Sequence, residues 1–311
     1  MLALDLRPNR HLHIAGLTSP YGQLLQMEKK ELFAKSLLEE KKNGKLEATA
    51  QELEEYMKSQ LGDHEKNIPL GSPGHVPRPA EPESQFDTTP PRWAEIRQVV
   101  DKARSASAPG LNGVPYRVYK SCPMVLKLLW KLMIVAWKTQ AIPSEWTKAV
   151  TTFIPKEQDS RNISQFRGIA LLNVEGKIFF SVVAKRMTRY LLENSYIDTS
   201  CQKAGIPGFP GCVEHSAMIW DQIQTAKREK SDLHVVWLDL ENAYGSVPHQ
   251  LINFALDFFH IPTCIQSLVS NYFSSFQVCY TTQETTTRLA PARERDCNGL
   301  LNLANPLFSS L

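Results

Sequence analysis

The apolar run at residues 235–240 contains one acidic residue, Asp239, and its placement constrains the fold more than any other feature of the chain. The run reads VVWLDL, and such a series of β-branched and aromatic residues predicts a buried β-strand. An ionised carboxylate is costly to bury unless a cation or a metal compensates it. Residues 243–245 interrupt the strand pattern, and Pro248 suits the first turn of a helix. The pattern predicts a strand-end carboxylate that holds a divalent metal and a phosphate chain, or an Asp that caps a local turn.

Length and composition permit one or two globular domains. The chain has 311 residues, of which 42% are hydrophobic and 22% charged, as is typical of soluble proteins. The net charge of +3 permits nucleic-acid binding but does not by itself indicate it. Six cysteines form no C-x-x-C pair, which predicts reduced thiols in an intracellular protein, nuclear or cytoplasmic. No apolar stretch is long enough for a membrane span, and no secretory signal is recognisable.

The pattern along the chain predicts an α+β fold. Leu and Met recur at helical spacing among dense Glu and Lys over residues 21–66, which indicates a helical N-terminal arm. Residues 67–92 contain seven prolines and are interpreted as an extended linker. Periodicity then predicts helices and strands in alternation. The helices are expected at 93–107, 123–140, 175–192, 213–229, 248–259 and 263–272, and the strands at 149–154, around Asp239 and at 276–282.

The segment around Asp239 also resembles a known motif. LDLENAYGSVPH is similar to the first carboxylate motif of reverse transcriptases, most closely those of non-LTR (LINE-type) retrotransposons. In that family the Asp binds both catalytic Mg²⁺ ions, the next carbonyl assists, and the aromatic residue after Ala excludes ribonucleotides. The resemblance implies these roles for Asp239, Leu240 and Tyr244. Residues 202–223 resemble the stretch that precedes the palm in the same family.

Two earlier segments match the same family in the same order. Residues 105–119, SASAPGLNGVPYRVY, resemble the Ser-x-Pro-Gly-x-x-Gly segment of the fingers. Residues 153–173 resemble the fingers hairpin, in which two basic residues clamp the triphosphate of the incoming nucleotide. The resemblance implies this role for Lys156 and Arg167, because cations on such a hairpin neutralise charge that builds during phosphoryl transfer. Gly168 departs from the family, which often has Pro there, and is expected to loosen the turn while leaving both charges in place. Ordinary surface charge is the alternative interpretation of either cation alone.

The resemblance runs from about Ser105 to Arg288 and then stops. Two-metal catalysis needs more than one carboxylate, and the family supplies the others from an Asp-Asp pair on a later hairpin. This sequence contains no Asp-Asp pair and lacks the Ser-Pro segment that precedes it. We therefore expect a catalytically incomplete reverse transcriptase fragment. Its expected parts are an arm, a linker, a fingers region, the first part of a palm and an unrelated tail, at 1–66, 67–92, 93–233, 234–288 and 289–311.

The resemblance implies an RNA template, a DNA primer and deoxynucleoside triphosphates as partners, with Mg²⁺ as the cofactor. Two other functions stay open. One is a non-catalytic nucleic-acid-binding remnant that uses basic helix residues. These residues are Lys185, Arg186, Arg189, Lys227, Arg228 and Lys230. The other is a helical interaction module built on the arm, and self-association through the arm or an exposed palm edge is expected.

Overall fold

The computed structural model describes residues 44–61, 77–203, 206, 208, 212–237, 247–282 and 284–291. These residues fall into two compact units. The described part of the smaller unit is residues 208 and 212–236, and the larger unit holds the remaining described residues. Helices and strands are mixed in the larger unit, while the smaller unit contributes one helix. None of the described helices is both long enough and apolar enough to cross a membrane.

The helices follow the apolar periodicity of the sequence. In chain order they are α1 Ala50–Leu61, α2 Trp93–Lys102, α3 Tyr116–Ser121, α4 Pro123–Thr139, α5 Val174–Glu193, α6 Cys212–Glu229, α7 His249–Phe258 and α8 Thr263–Ser275. The predictions of α2, α4, α5, α6, α7 and α8 are confirmed, with ends that differ by a few residues. Helix α2 ends early, at Lys102, because the Ala103 backbone is extended there. Helix α4 begins at Pro123, where a missing N–H costs nothing.

The described strands form one four-stranded sheet in the order β2-β1-β3-β4. They are β1 Lys148–Pro155, β2 Phe166–Leu172, β3 Gln277–Thr281 and β4 Ala290–Pro291. Strands β1 and β2 form an antiparallel hairpin, and β3 runs parallel to β1. The predictions of β1 and β3 are confirmed. Strand β4, at the start of the segment interpreted as an unrelated tail, pairs with β3.

The hairpin has one covered and one open face, because successive side chains of a strand alternate. The covered face includes Phe166, which packs in a cluster with Leu46 and Leu53. Residues 44–61, which fall in the predicted arm, therefore pack against the hairpin. Ile154 and Ile169 point to the other face and are exposed.

Helix α5 forms the centre of the core. Phe179 and Phe180 are buried on it at a ring-centroid distance of 5.2 Å. The Phe180 ring meets Tyr272 of α8 edge-on at 4.4 Å, and Phe179 lies 5.4 Å from Trp146, just before β1. Aromatic pairs in this geometry add stabilisation beyond the area that they bury. The packing fixes where β1 and β2 emerge from the core.

An extended segment, residues 77–92, lies along this core, and we call it the strap. Its proline content predicted extended backbone, and the structure shows in addition that the strap is held along its length. The Ser84 backbone exchanges two hydrogen bonds with the Asn194 side chain, at 2.9 and 3.0 Å. Phe86 is buried against Tyr190, and the Trp137 indole donates to the Thr88 carbonyl at 2.9 Å. Side chains of the core thus satisfy backbone groups that cannot pair within the strap.

Arg186 on α5 is buried and anchors both the strap and α2. Its guanidinium makes two hydrogen bonds to the Glu95 carboxylate, from Nε at 2.8 Å and from Nη2 at 2.6 Å. It also donates to strap carbonyls, including Asp87 O at 3.0 Å and Thr89 O. The expectation of an outward nucleic-acid-binding role is therefore wrong for Arg186. The neighbouring Arg189 is exposed but lies within 3.8 Å of Asp87 and 3.6 Å of Glu193.

Candidate functional site

The candidate site is the end of the β1–β2 hairpin, where the two basic residues of the predicted triphosphate clamp lie. Lys156 directly follows β1, and its backbone N–H donates to the Gln165 carbonyl at 2.8 Å, which extends the ladder by one pair. Its ammonium group donates to the Ser164 carbonyl at 2.8 Å. This bond holds the Lys156 side chain across the hairpin end rather than leaving it extended in solvent.

Arg167 is the second residue of β2 and pairs with Ile154 of β1. Residues directly opposite in an antiparallel pair share a face of the sheet, as do residues two apart on one strand. Arg167, Ile154 and Lys156 therefore belong to the open face of the hairpin. Lys156 and Arg167 are both exposed there. The register thus gives the two predicted cations the same end and the same face.

Hydrogen bonds within the loop fix the connection between the strands. The Gln165 side-chain oxygen accepts from the backbone N–H groups of Arg161 and Asn162, each at 3.0 Å. Ser160 is fully buried, and its hydroxyl donates to the Glu157 carbonyl at 2.9 Å. These local hydrogen bonds satisfy backbone groups of the turn that would otherwise bond to water. Lys156 and Arg167 therefore flank a turn that is held by its own hydrogen bonds.

Gly168 lies within β2, where it pairs with Phe153, and not in a turn. The idea that glycine loosens a turn at this position is therefore wrong. A Cβ added at Gly168 would come within 3.1 Å of the Thr151 methyl group. Glycine leaves room for this methyl group, one residue after Arg167.

The Pro-Gly turn of residues 105–119 is locked against the other end of the hairpin. A Cβ on Gly110 would lie 2.4 Å from the backbone nitrogen of Asn173, directly after β2. The Asn173 side chain accepts from the Asn112 N–H at 3.1 Å and donates to the Glu145 carbonyl at 2.6 Å. The two segments predicted to form the fingers, residues 105–119 and 153–173, are thus in direct contact.

A carboxylate near the start of α5 completes this junction. Glu175 accepts two hydrogen bonds at 3.0 Å from the Asn112 amide, and one from the Tyr119 hydroxyl. Burial raises the pKa of Tyr119, and the hydrogen bond to Glu175 and its charge raise it further, so the phenol stays protonated as a donor. Asn112, Asn173 and Glu175 were not assigned from the sequence. Little in the sequence distinguishes these three residues, because single polar residues beside a turn or at the start of a helix are common.

Asp239, Leu240 and Tyr244 lie outside the described residues. The described start of the same run, residues 235–237, is not in a strand. Val236 and Trp237 are 80% and 75% exposed. The prediction of a buried strand is therefore wrong for these residues, whose side chains have no core packed over them.

A metal site was predicted at Asp239 and the Leu240 carbonyl. Within the part of the chain that the structure describes, no group of three or more His, Cys, Asp or Glu side chains is arranged to hold a metal ion. Mg²⁺ binding at Asp239 stays a prediction from the sequence motif.

Comparison with known proteins gives the class of this chain: it is related to the polyproteins of non-LTR retrotransposons. One relative is the retrovirus-related Pol polyprotein of the type-1 retrotransposable element R2 of Popillia japonica, 25% identical over 49% of this chain. Another is the uncharacterized 149 kDa protein of transposon TX1 of Xenopus laevis, 25% identical over 53% of this chain. The matched regions span 20% and 12% of the relatives' own lengths. No protein-family model matches the chain.

Proposed function

We propose that this chain is the fingers region and the first part of the palm of a non-LTR retrotransposon reverse transcriptase. The observation that carries the proposal is the shared face and shared end of Lys156 and Arg167 on an ordered hairpin. Similarity to retrotransposon polyproteins supports it, as does the direct contact between the segments 105–119 and 153–173.

In this proposal the hairpin binds the triphosphate of a deoxynucleoside triphosphate. A triphosphate is recognised well by two cations fixed in one direction, because charge-assisted hydrogen bonds are about twice as strong as neutral ones. Arg167 offers a planar fork of donors, and Lys156 offers a compact charge beside it. The ordered turn between them reduces the entropy lost when the ligand binds.

The remaining parts of the proposal rest on the sequence motif. Asp239 and the Leu240 carbonyl bind Mg²⁺, and Tyr244 excludes ribonucleotides. An RNA template and a DNA primer complete the set of partners. Because the sequence has no Asp-Asp pair, we propose that the chain is catalytically incomplete on its own. A primer-extension assay tests this part, and DNA synthesis that disappears in Asp239→Ala would contradict it.

The triphosphate proposal is tested with fluorescent deoxynucleoside triphosphate binding to the whole chain. Lys156→Ala and Arg167→Ala are each expected to weaken binding about tenfold, since a hydrogen bond to a charged group contributes about 1.5–3 kcal/mol. Lys148→Ala is the matched control, because Lys148 stands at the opposite end of β1 and pairs with Glu145. Equal affinity of the control and the two variants would contradict the proposal. So would equal binding of the nucleoside without phosphates.

A further inference from the structure

Helix α4 carries an exposed apolar surface that the proposed function does not use. Its buried residues are Leu126, Leu129, Met133, Ala136 and Trp137. Beside them runs a second apolar row, which we call the α4 stripe: Met124, Leu128, Leu132 and Val135. Their exposed fractions are 73%, 61%, 46% and 54%. At 100° per residue these four side chains fall within about 80° of the helix surface and extend for about 16 Å.

Three lysines flank this stripe on one side. Lys127, Lys131 and Lys138 fall within about 40° of one another on the helix, next to Met124 and Val135, and we call them the lysine ridge. Helix α4 has no Asp or Glu. Among the described residues, no carboxylate lies within ion-pair distance of these three ammonium groups. Some other surface cations are paired: Arg92 is 2.7 Å from Asp87, and Arg97 is 3.6 Å from Asp101.

We propose that the α4 stripe and the lysine ridge bind a helix of a partner protein, one with an aliphatic stripe and acidic residues along its flank. Aliphatic side chains at this spacing are what helices use to pack ridges into grooves. The unpaired lysines define the charge of the partner's flank. The stripe has no aromatic residue on which a nucleic-acid base could stack, so its chemistry favours a protein. This proposal is independent of the proposed triphosphate site.

The probe is a synthetic amphipathic helical peptide of about five turns, with Leu along one face and Glu beside it. Its binding to the whole chain is measured by fluorescence anisotropy. A second peptide with Lys in place of each Glu is expected to bind at least about tenfold more weakly. Equal affinities of the two peptides would overturn the proposal.

Two variants locate the binding on α4. Leu128→Ser is expected to weaken binding of the acidic peptide about tenfold. Its control, Met218→Ser on α6, alters a side chain with 59% exposure, close to the 61% of Leu128, and is expected to leave binding unchanged. Unfolding curves check that both proteins fold. If Leu128→Ser binds the acidic peptide as tightly as its control does, the proposal is overturned.

Charge reversal gives a readout that misfolding cannot imitate. Lys127→Glu combined with Lys131→Glu is expected to bind the Lys peptide and to lose the Glu peptide. Lys58→Glu combined with Lys102→Glu, on α1 and α2, is the control and is expected to keep the original preference. If the protein with Lys127→Glu and Lys131→Glu still binds the Glu peptide more tightly than the Lys peptide, the proposal is overturned.

Other occupants of the stripe give distinct results. Concentration-dependent dimers in sedimentation that Leu128→Ser abolishes would identify a second copy of this chain instead. Binding to RNA or to phosphatidylserine vesicles that the Lys127→Glu and Lys131→Glu pair abolishes, without peptide discrimination, would identify nucleic acid or membrane. Each of these results overturns the proposal of a helical protein partner.

Discussion

Arg186 shows how one buried cation can organise several segments. It bonds the Glu95 carboxylate twice, donates to strap carbonyls and lies 5.2 Å from the Trp137 ring centre. The Arg186→Met variant keeps much of the volume but leaves these acceptors without their donor. We expect it to lower the free energy of unfolding by about 3–5 kcal/mol, measured by urea denaturation. Arg97→Met is the control, because it removes an exposed arginine from α2. It is expected to change the free energy of unfolding by less than about 1 kcal/mol. Equal losses in both variants would contradict this role of Arg186.

The carboxylates beside Arg186 make stability depend on pH. Burial acts to raise the pKa of Glu95, but hydrogen bonds from Arg186 and the Arg92 N–H outweigh it, so the pKa lies below its usual value. The pKa of Asp87 is lowered too: burial opposes the shift, but the hydrogen bonds from Thr89 and the charges of Arg186 and Arg92 prevail. As the pH falls, these carboxylates therefore take up protons at a higher pH in the unfolded chain than in the folded protein. Their contribution to the free energy of unfolding is complete above the pKa of the unfolded state, and it is lost as the pH falls through the pKa of the folded state.

We expect the free energy of unfolding to fall as the pH decreases below about 5, measured by urea denaturation at a series of pH values. Glu95→Gln removes one of the titrating groups, so its stability should depend less steeply on pH over the same range. Identical slopes for this variant and the natural sequence would show that Glu95 does not contribute.

At the scale of elements, the contact between the Pro-Gly turn and the end of β2 depends on Gly110. A Cβ there would meet the Asn173 backbone at 2.4 Å, and backbone atoms cannot move aside cheaply. We expect Gly110→Ala to reduce stability by about 3 kcal/mol in thermal unfolding. Gly113, with a φ of 68° and open space around its Cβ position, needs only left-handed backbone. Gly113→Asn should therefore cost less than about 1 kcal/mol, because Asn tolerates this conformation. If Gly110→Ala reduces stability by no more than Gly113→Asn does, the close contact at Gly110 is contradicted.

The helices were predictable from sequence because their apolar periodicity is a local property, as in α4 and α5. Buried contacts between distant segments were not. Arg186 stands next to Lys185 on a basic stretch of helix, and it is buried only because Glu95 and the strap carbonyls, about 90 or more residues earlier, surround it. The apolar pattern also predicted a buried strand wrongly at Val236 and Trp237, because an apolar run becomes a buried strand only where other residues pack over it. The predicted role of Lys156 and Arg167 came from the family resemblance, whereas their common face follows from the β1–β2 register.

At the scale of the whole molecule, the strap joins elements that are distant in sequence. It lies on α5 and accepts the Trp137 indole N–H from α4. Its Pro79 carbonyl lies 3.0 Å from His260 Nε2, two residues after the end of α7. A proline-rich segment loses little backbone entropy on docking, because its φ angles are already restricted. The strap can therefore remain bound through scattered contacts. One of these contacts is apolar: Phe86 is buried, with its ring 5.4 Å from the Tyr190 ring.

We expect Phe86→Ala to lower the free energy of unfolding by about 3–5 kcal/mol, because it empties a buried aromatic site. It should also release the strap locally, so trypsin should cut after Arg92 faster than in the natural sequence. Glu83→Ala is the matched control on the exposed side of the strap, and should leave both measurements unchanged. If Phe86→Ala lowers stability without faster cleavage in the strap, the strap and the core unfold as one cooperative unit. If it changes neither, the strap is not held by Phe86.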